Sequence, residues 1–144
     1  MDNLTHTLAG VLIGEAVSRW APAAPSGLPP RQRHGLLVVL SAVASNLPDA
    51  DLAYTLAAGT KLAYLSQHRG YTHTIVGVLL AAALVILAVE LFMRWRRLQP
   101  SRGDRQAIVA AVVISLAVHL GLDFTNSYGV HPFWPVHNHW RSEE

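Results

Sequence analysis

The run from Thr72 to Met93 reads T-H-T-I-V-G-V-L-L-A-A-A-L-V-I-L-A-V-E-L-F-M. A helix rises about 1.5 Å per residue, so this run is long enough to cross a hydrocarbon core of roughly 30 Å. Its one acid, Glu90, precedes Arg94 by one helical turn, the favourable order for an ion pair, and this places Glu90 near an interface. Three further apolar runs follow the same pattern: Ala107 to Leu122, Gly35 to Leu47, and Leu4 to Val17 with Glu15 one turn before Arg19. Hydrophobic residues make up 51% of the chain and Asp, Glu, Lys and Arg only 14%, too little polar surface to cover four such runs in water. A soluble helical protein with one apolar helix is the rival reading, and it leaves the other runs uncovered. The same composition argues against disorder, a coiled coil or a nucleic-acid-binding arm. The expected fold class is therefore all-α: a membrane-embedded bundle of about four helices near 4–18, 35–47, 72–93 and 106–125, in a single domain spanning 1–144. The segment 126–144 reads as an aromatic, proline-broken tail suited to the headgroup belt, with His131, His137 and His139 solvated. Asp2 and the lack of a basic n-region before the first apolar run argue against a signal peptide.

Arginine sets the expected topology. Arg94, Arg96, Arg97, Arg102 and Arg105 fill the linker after the third helix, and Arg19, Arg31 and Arg33 flank or lie in the proline-rich linker after the first. With four crossings both linkers lie on one side, and the positive-inside rule makes that side cytoplasmic. The chain ends and the 48–72 loop then face outward.

That topology sends the acids and histidines to one end. Asp2 and His6 open the first helix; Asp49 and Asp51 follow the second in S-N-L-P-D-A-D; His68 and His73 precede or open the third in H-R-G-Y-T-H; His119 and Asp123 close the fourth in H-L-G-L-D. His119 and Asp123 share a helix face at a spacing of one turn, and Pro48 puts Asp49 and Asp51 on the turn beyond its helix. His73 is expected on the first helical turn, with His68 reaching in from the loop. With the fourth helix starting near Arg105, His119 lies below the outer surface, where an ionisable group is costly and points to function. Imidazoles and carboxylates without thiolates suit zinc, and also manganese or iron; the chain contains no cysteine, which excludes disulfides, thiolate zinc sites and cysteine catalysis. Each motif also has a plain structural role: Asp2 at a helix start, Asp49 or Asp51 in a turn, His119 as a hydrogen-bonded core residue, Arg69 as an interface residue. The convergence of four motifs carries the metal reading.

D-N-L-T-H, N-L-P-D-A-D, H-R-G-Y-T-H-T and H-L-G-L-D-F-T-N-S-Y-G-V-H-P-F-W-P, in this order over nearly the whole chain, resemble the YdjM-like membrane-bound metal-dependent hydrolases. The resemblance implies a bacterial or archaeal inner-membrane protein of several helices with a metal site. That family is in turn similar to zinc-dependent phospholipase C. The likeness implies His6, Asp49 or Asp51, His68 or His73, His119 and Asp123 as ligands, with Asp123 as a shared carboxylate. The chain lacks a clear H-x-x-x-E pair after Asp123, which leaves the expected count at one or two ions.

The expected function is hydrolysis of a phosphoester or lipid headgroup by metal-activated water. Metal ligation is assigned to His6, Asp49, His73, His119 and Asp123. Asp51 or His68 is a further ligand or the general base, and Arg69 a phosphate clamp. Zinc is the expected ion, with manganese as the substitute, and membrane lipid is the expected partner; nucleic acid is not. The rival is a non-catalytic metal-binding or regulatory membrane protein. A haem carrier using His73 and His119 does not need the adjacent carboxylates, and a transporter would carry its ionisable groups at the midplane.

Overall fold

A computed structural model describes residues 3–21, 27–50 and 73–125. They form α1 (Asn3–Trp20), α2 (Pro30–Asn46), a 3-10 turn (Pro48–Ala50), α3 (Ile75–Trp95) and α4 (Arg102–Phe124), with no strand among the described residues. The fold is all-α, and α3 and α4 are each long and apolar enough to cross a membrane. At 18 and 17 residues, α1 and α2 sit at the short end of that range. Asp2, Asp51, His68, Arg69, His131, His137 and His139 lie outside the described residues.

Local chemistry sets helix ends that apolar periodicity missed. α2 starts at Pro30 and not near Gly35, because proline at the first helical position loses no hydrogen bond and supplies a helical φ. α4 starts at Arg102 and not near 106, because Ser101 and Asp104 form a capping box. α3 starts at Ile75: the Thr74 side chain accepts a 2.9 Å hydrogen bond from the Gly77 amide. His73 therefore precedes the cap and is not on the first helical turn.

α1, α2 and α4 pack mutually around Val17, Leu37, Leu40, Ala44, Ala111, Val112 and Leu116, and α3 lies against α4. On α1 the repeat His6, Gly10, Gly14, Val17 faces inward. A Cβ at Gly10 would meet the Ser41 carbonyl oxygen at 2.5 Å, and one at Gly14 the Val38 Cα at 2.5 Å. Small residues here let the two backbones approach, the usual device where lipid offers no hydrophobic drive. α3 presents Leu79, Leu80, Leu84, Leu87 and Leu91 outward, as a helix surrounded by acyl chains does.

At the arginine end a buried ion pair ties the bundle together. Arg33 Nε donates to Asp104 Oδ1 at 2.9 Å, and its other nitrogens donate to the carbonyls of Ser18 and Ala21 at the end of α1. Asp104 Oδ2 accepts from the Leu28 amide, the Ser101 amide and the Ser101 hydroxyl, each at 2.9 Å. One pair thus satisfies the carbonyl end of α1 and the amide end of α4. Nearby, Glu90 pairs with Arg105 across the α3–α4 connection, not with the Arg94 that sequence spacing favours. Glu15 meets Arg19 at 3.5 Å and His34 at 2.6 Å.

α3 ends in a Schellman turn: Leu98 N donates to Met93 O at 2.9 Å and Arg97 N to Arg94 O at 3.0 Å. The left-handed residue of that turn is Arg97, at φ 54°. Glycine is usual there, and a side chain in this conformation costs about 1–2 kcal/mol.

Two substitutions test this packing. Gly14→Val is expected to lower stability by about 1–3 kcal/mol through overpacking, measured by denaturation in detergent. Asp104→Ala should cost about 3–5 kcal/mol by leaving Arg33 buried and unpaired, and the double change Arg33→Leu with Asp104→Leu should recover most of it.

Candidate metal centre

The opposite end of the bundle gathers five ionisable side chains from four segments. His6 comes from the first turns of α1, Asp49 from the 3-10 turn, His73 from just before α3, and His119 and Asp123 from one face of α4. Asp49 is 7% exposed, and His6, His73, His119 and Asp123 are at 0–1%. Pro48 cannot continue the hydrogen bonding of α2, so the chain tightens into the turn that carries Asp49 inward.

The donor atoms of Asp49, His73, His119 and Asp123 all lie within 4.8 Å of one another. His73 Nε2 is 3.0 Å from Asp123 Oδ2, 3.3 Å from Asp49 Oδ1 and 3.1 Å from His119 Nε2. His119 Nε2 is 3.4 Å from Asp123 Oδ2 and 3.8 Å from Asp49 Oδ1. The carboxylates turn their other oxygens to His6: its Nε2 lies 3.5 Å from Asp123 Oδ1 and 3.7 Å from Asp49 Oδ2. The His6 ring stacks on His119 at 4.0 Å between centroids, and neither His6 nitrogen has a hydrogen-bond partner among the described residues.

The orientation of His119 is set by backbone. Its Nδ1 lies 2.7 Å from the Ser45 carbonyl oxygen, which can only accept, so Nδ1 carries the proton. In the neutral ring Nε2 is then a bare lone pair aimed at two carboxylates and a second imidazole, the arrangement by which proteins present histidine to a metal. Ligands about 2.1 Å from a tetrahedral ion stand about 3.4 Å apart, in the middle of the separations above. The donor set and its spacing fit a divalent ion.

Electrostatics outside the membrane-spanning helices agree. Burial raises the Asp49 carboxyl, but a hydrogen bond from His73 and the charges of His119 and His73 outweigh it and hold the group below its ordinary range. Burial pushes the His73 imidazole down, yet hydrogen bonds to Asp123 and Asp49 and their charges carry it above its ordinary value. Two carboxylates in a dry site thus favour the protonated form of His73.

The structure brings together His6, Asp49, His73, His119 and Asp123 from the sequence-derived set. It adds a positioning contact that sequence offered no signal for, the Ser45 carbonyl. A second is Asn46, whose side-chain amide donates to Thr7 Oγ1 at 2.9 Å and to the Ala42 carbonyl at 2.8 Å, fastening the end of α2 to the start of α1 beside His6.

The described residues combine two helices long and apolar enough to cross a membrane with a buried histidine–aspartate cluster at one end, a candidate metal centre. The family model described as YdjM inner membrane protein matches residues 1–144, and the chain belongs to that family. The chain is also 25% identical over 140 residues to "Uncharacterized protein YfhP" of Bacillus subtilis (strain 168), covering 97% of this chain and 39% of that protein. It thus spans about two fifths of the length of the curated relative it matches. No solved structure gives a significant match.

A bound metal competes with the proton for His73, whose protonated form the carboxylates favour. Affinity is therefore expected to be greatest above the raised His73 pKa and to fall as pH drops through it. Calorimetric titration in buffers of different ionisation heat would show proton release on binding; pH-independent affinity without release would contradict this.

Proposed function

We propose that this protein is a metal-dependent hydrolase of the bacterial or archaeal inner membrane, acting on a phosphoester or lipid headgroup. The observation that carries the reading is the orientation of His119: its proton is committed to the Ser45 carbonyl, and its lone pair faces two buried carboxylates and His73. Asp49, His73, His119 and Asp123 would hold the ion, and His6 would face the second oxygens of both carboxylates. The nitrogen and oxygen donors favour zinc, with manganese as the alternative. When bound, such an ion polarises a phosphoryl oxygen and lowers the pKa of water towards 7.

The protein's own groups have separate tasks. Asp49 and Asp123 supply the negative charge that selects a cation and fixes its position. Ser45, through its carbonyl, keeps His119 in the ligating tautomer. Asp51 or His68 serves as general base or further ligand, and Arg69 binds the phosphate; these roles rest on the motifs N-L-P-D-A-D and H-R-G-Y-T-H. The similarity to zinc-dependent phospholipase C drawn from sequence supports the same chemistry. The protein crosses the membrane several times with its arginine linkers cytoplasmic and the metal centre outward. Trp20 and Trp95, 80% and 74% exposed, support an interface at the arginine end.

The near-complete burial of the cluster favours a second reading, a structural ion that fastens α1, α2 and α4 to the start of α3, since structural sites are closed. Metal analysis of the detergent-purified protein separates the cases. About one or two equivalents of zinc or manganese are expected, lost in His119→Ala and in Asp123→Ala while the helical signal persists. Hydrolysis of a chromogenic phosphodiester or a phospholipid, abolished in both variants, supports the hydrolase. Bound metal whose removal unfolds the bundle, with no hydrolysis, supports the structural ion. No metal after reconstitution sinks both.

A further inference from the structure

The chain spends stability on an arginine at the end of α3. Arg97 occupies the left-handed position of a Schellman turn, where glycine closes the turn without strain. Positive charge for topology does not need that position, because it acts through any basic residue of the linker. A non-glycine residue retained in a strained backbone state is a reason to look for what its side chain does.

Its surroundings indicate a ligand. Arg94, Arg96, Arg97 and Arg102 are all exposed, and none has a carboxylate partner among the described residues. By contrast Arg33 and Arg105 are engaged by Asp104 and Glu90. The Arg96 guanidinium lies over the Trp95 ring, 5.8 Å from its centroid, which keeps its edge free for hydrogen bonding. On α3, exposed Leu84, Leu87 and Leu91 form a stripe that continues, one turn later, into Arg94 and Trp95. The surface is thus apolar along the helix and cationic at its end.

We propose that the α3–α4 connection binds the phosphate of an anionic phospholipid, with Arg97, Arg94 and Arg96 on the headgroup and the α3 leucine stripe along the acyl chains. A soluble phosphate would use only half of this surface; an amphiphile uses both. Arg102, at the first position of α4, adds a further guanidinium beside that helix's amide end. This site is separate from the metal centre and stands whether or not that centre is catalytic.

The test uses the full chain in phosphatidylcholine vesicles with trace spin-labelled phosphatidylglycerol or spin-labelled phosphatidylcholine, reading the motionally restricted fraction by electron paramagnetic resonance. The wild type should prefer phosphatidylglycerol by about fivefold or more, the equivalent of one arginine at a membrane surface. Arg97→Gly should lower that preference and, by relieving the backbone, raise the unfolding midpoint by roughly 4 °C. The triple change Arg94→Gln, Arg96→Gln, Arg97→Gly should abolish the preference, and Arg19→Gln with Arg31→Gln should leave it in place. Absence of preference in the wild type overturns the proposal. So does an equal loss in the Arg19 and Arg31 control, which would mean diffuse attraction. Full displacement by millimolar glycerol phosphate, or a stabilised Arg97→Gly that keeps the whole preference, overturns it as well.

Discussion

His6 can face Asp49 and Asp123 because nothing stands between α1 and α2 at Gly10 and Gly14. Side chains at those positions would overlap the Ser41 carbonyl and the Val38 backbone. With the helices apart by even one methyl group, the His6 ring would leave its stack on His119, and the second oxygens of both carboxylates would lose their partner. Backbone proximity one and two turns below the centre thus sets the geometry at the centre, and Asn46 on Thr7 fixes the register at the top.

The three-helix unit has a polar cluster at each end and hydrocarbon between. Both clusters bury charge, but they differ in what they leave unsatisfied. Arg33 and Asp104 hydrogen-bond to each other and to the ends of α1, α2 and α4, and no nitrogen or oxygen of either side chain is left buried without a partner. At the other end neither His6 nitrogen makes a hydrogen bond among the described residues, and imidazole nitrogens and carboxylate oxygens crowd together. Protons alone balance such a set poorly, and a cation balances it well. The contrast separates a self-satisfied polar cluster from one that could hold an ion.

Much of this was legible in the sequence, for reasons that differ by residue. The apolar run of α3 is plain in the sequence because crossing lipid demands length and little else, and α3 is long and apolar enough to cross. His119 and Asp123 were placed together because helical spacing is rigid. Asp49 was placed on a turn because Pro48 forbids continuation. The start of α2 was hidden, since Pro-Arg-Gln-Arg-His carries no apolar stripe although proline nucleates it. His73 lies just before α3 and not on its first turn because Thr74 caps the helix, a role that the apolar pattern does not reveal. Glu90 found Arg105 across a hairpin, a tertiary contact that spacing along one helix does not encode. The Ser45 carbonyl that orients His119 was beyond reach, because backbone acceptors leave no mark in a sequence.

The order of the contributing segments along the chain has a consequence for biosynthesis. His6 belongs to the first helix to be made, yet Asp123 belongs to the last turn of the fourth. Until α4 has been made, His6 and Asp49 lack His119 and Asp123 as neighbours. An ion would have nowhere to settle before then. The cluster is therefore completed late in synthesis, and a chain that stops before α4 lacks two of its four candidate donors.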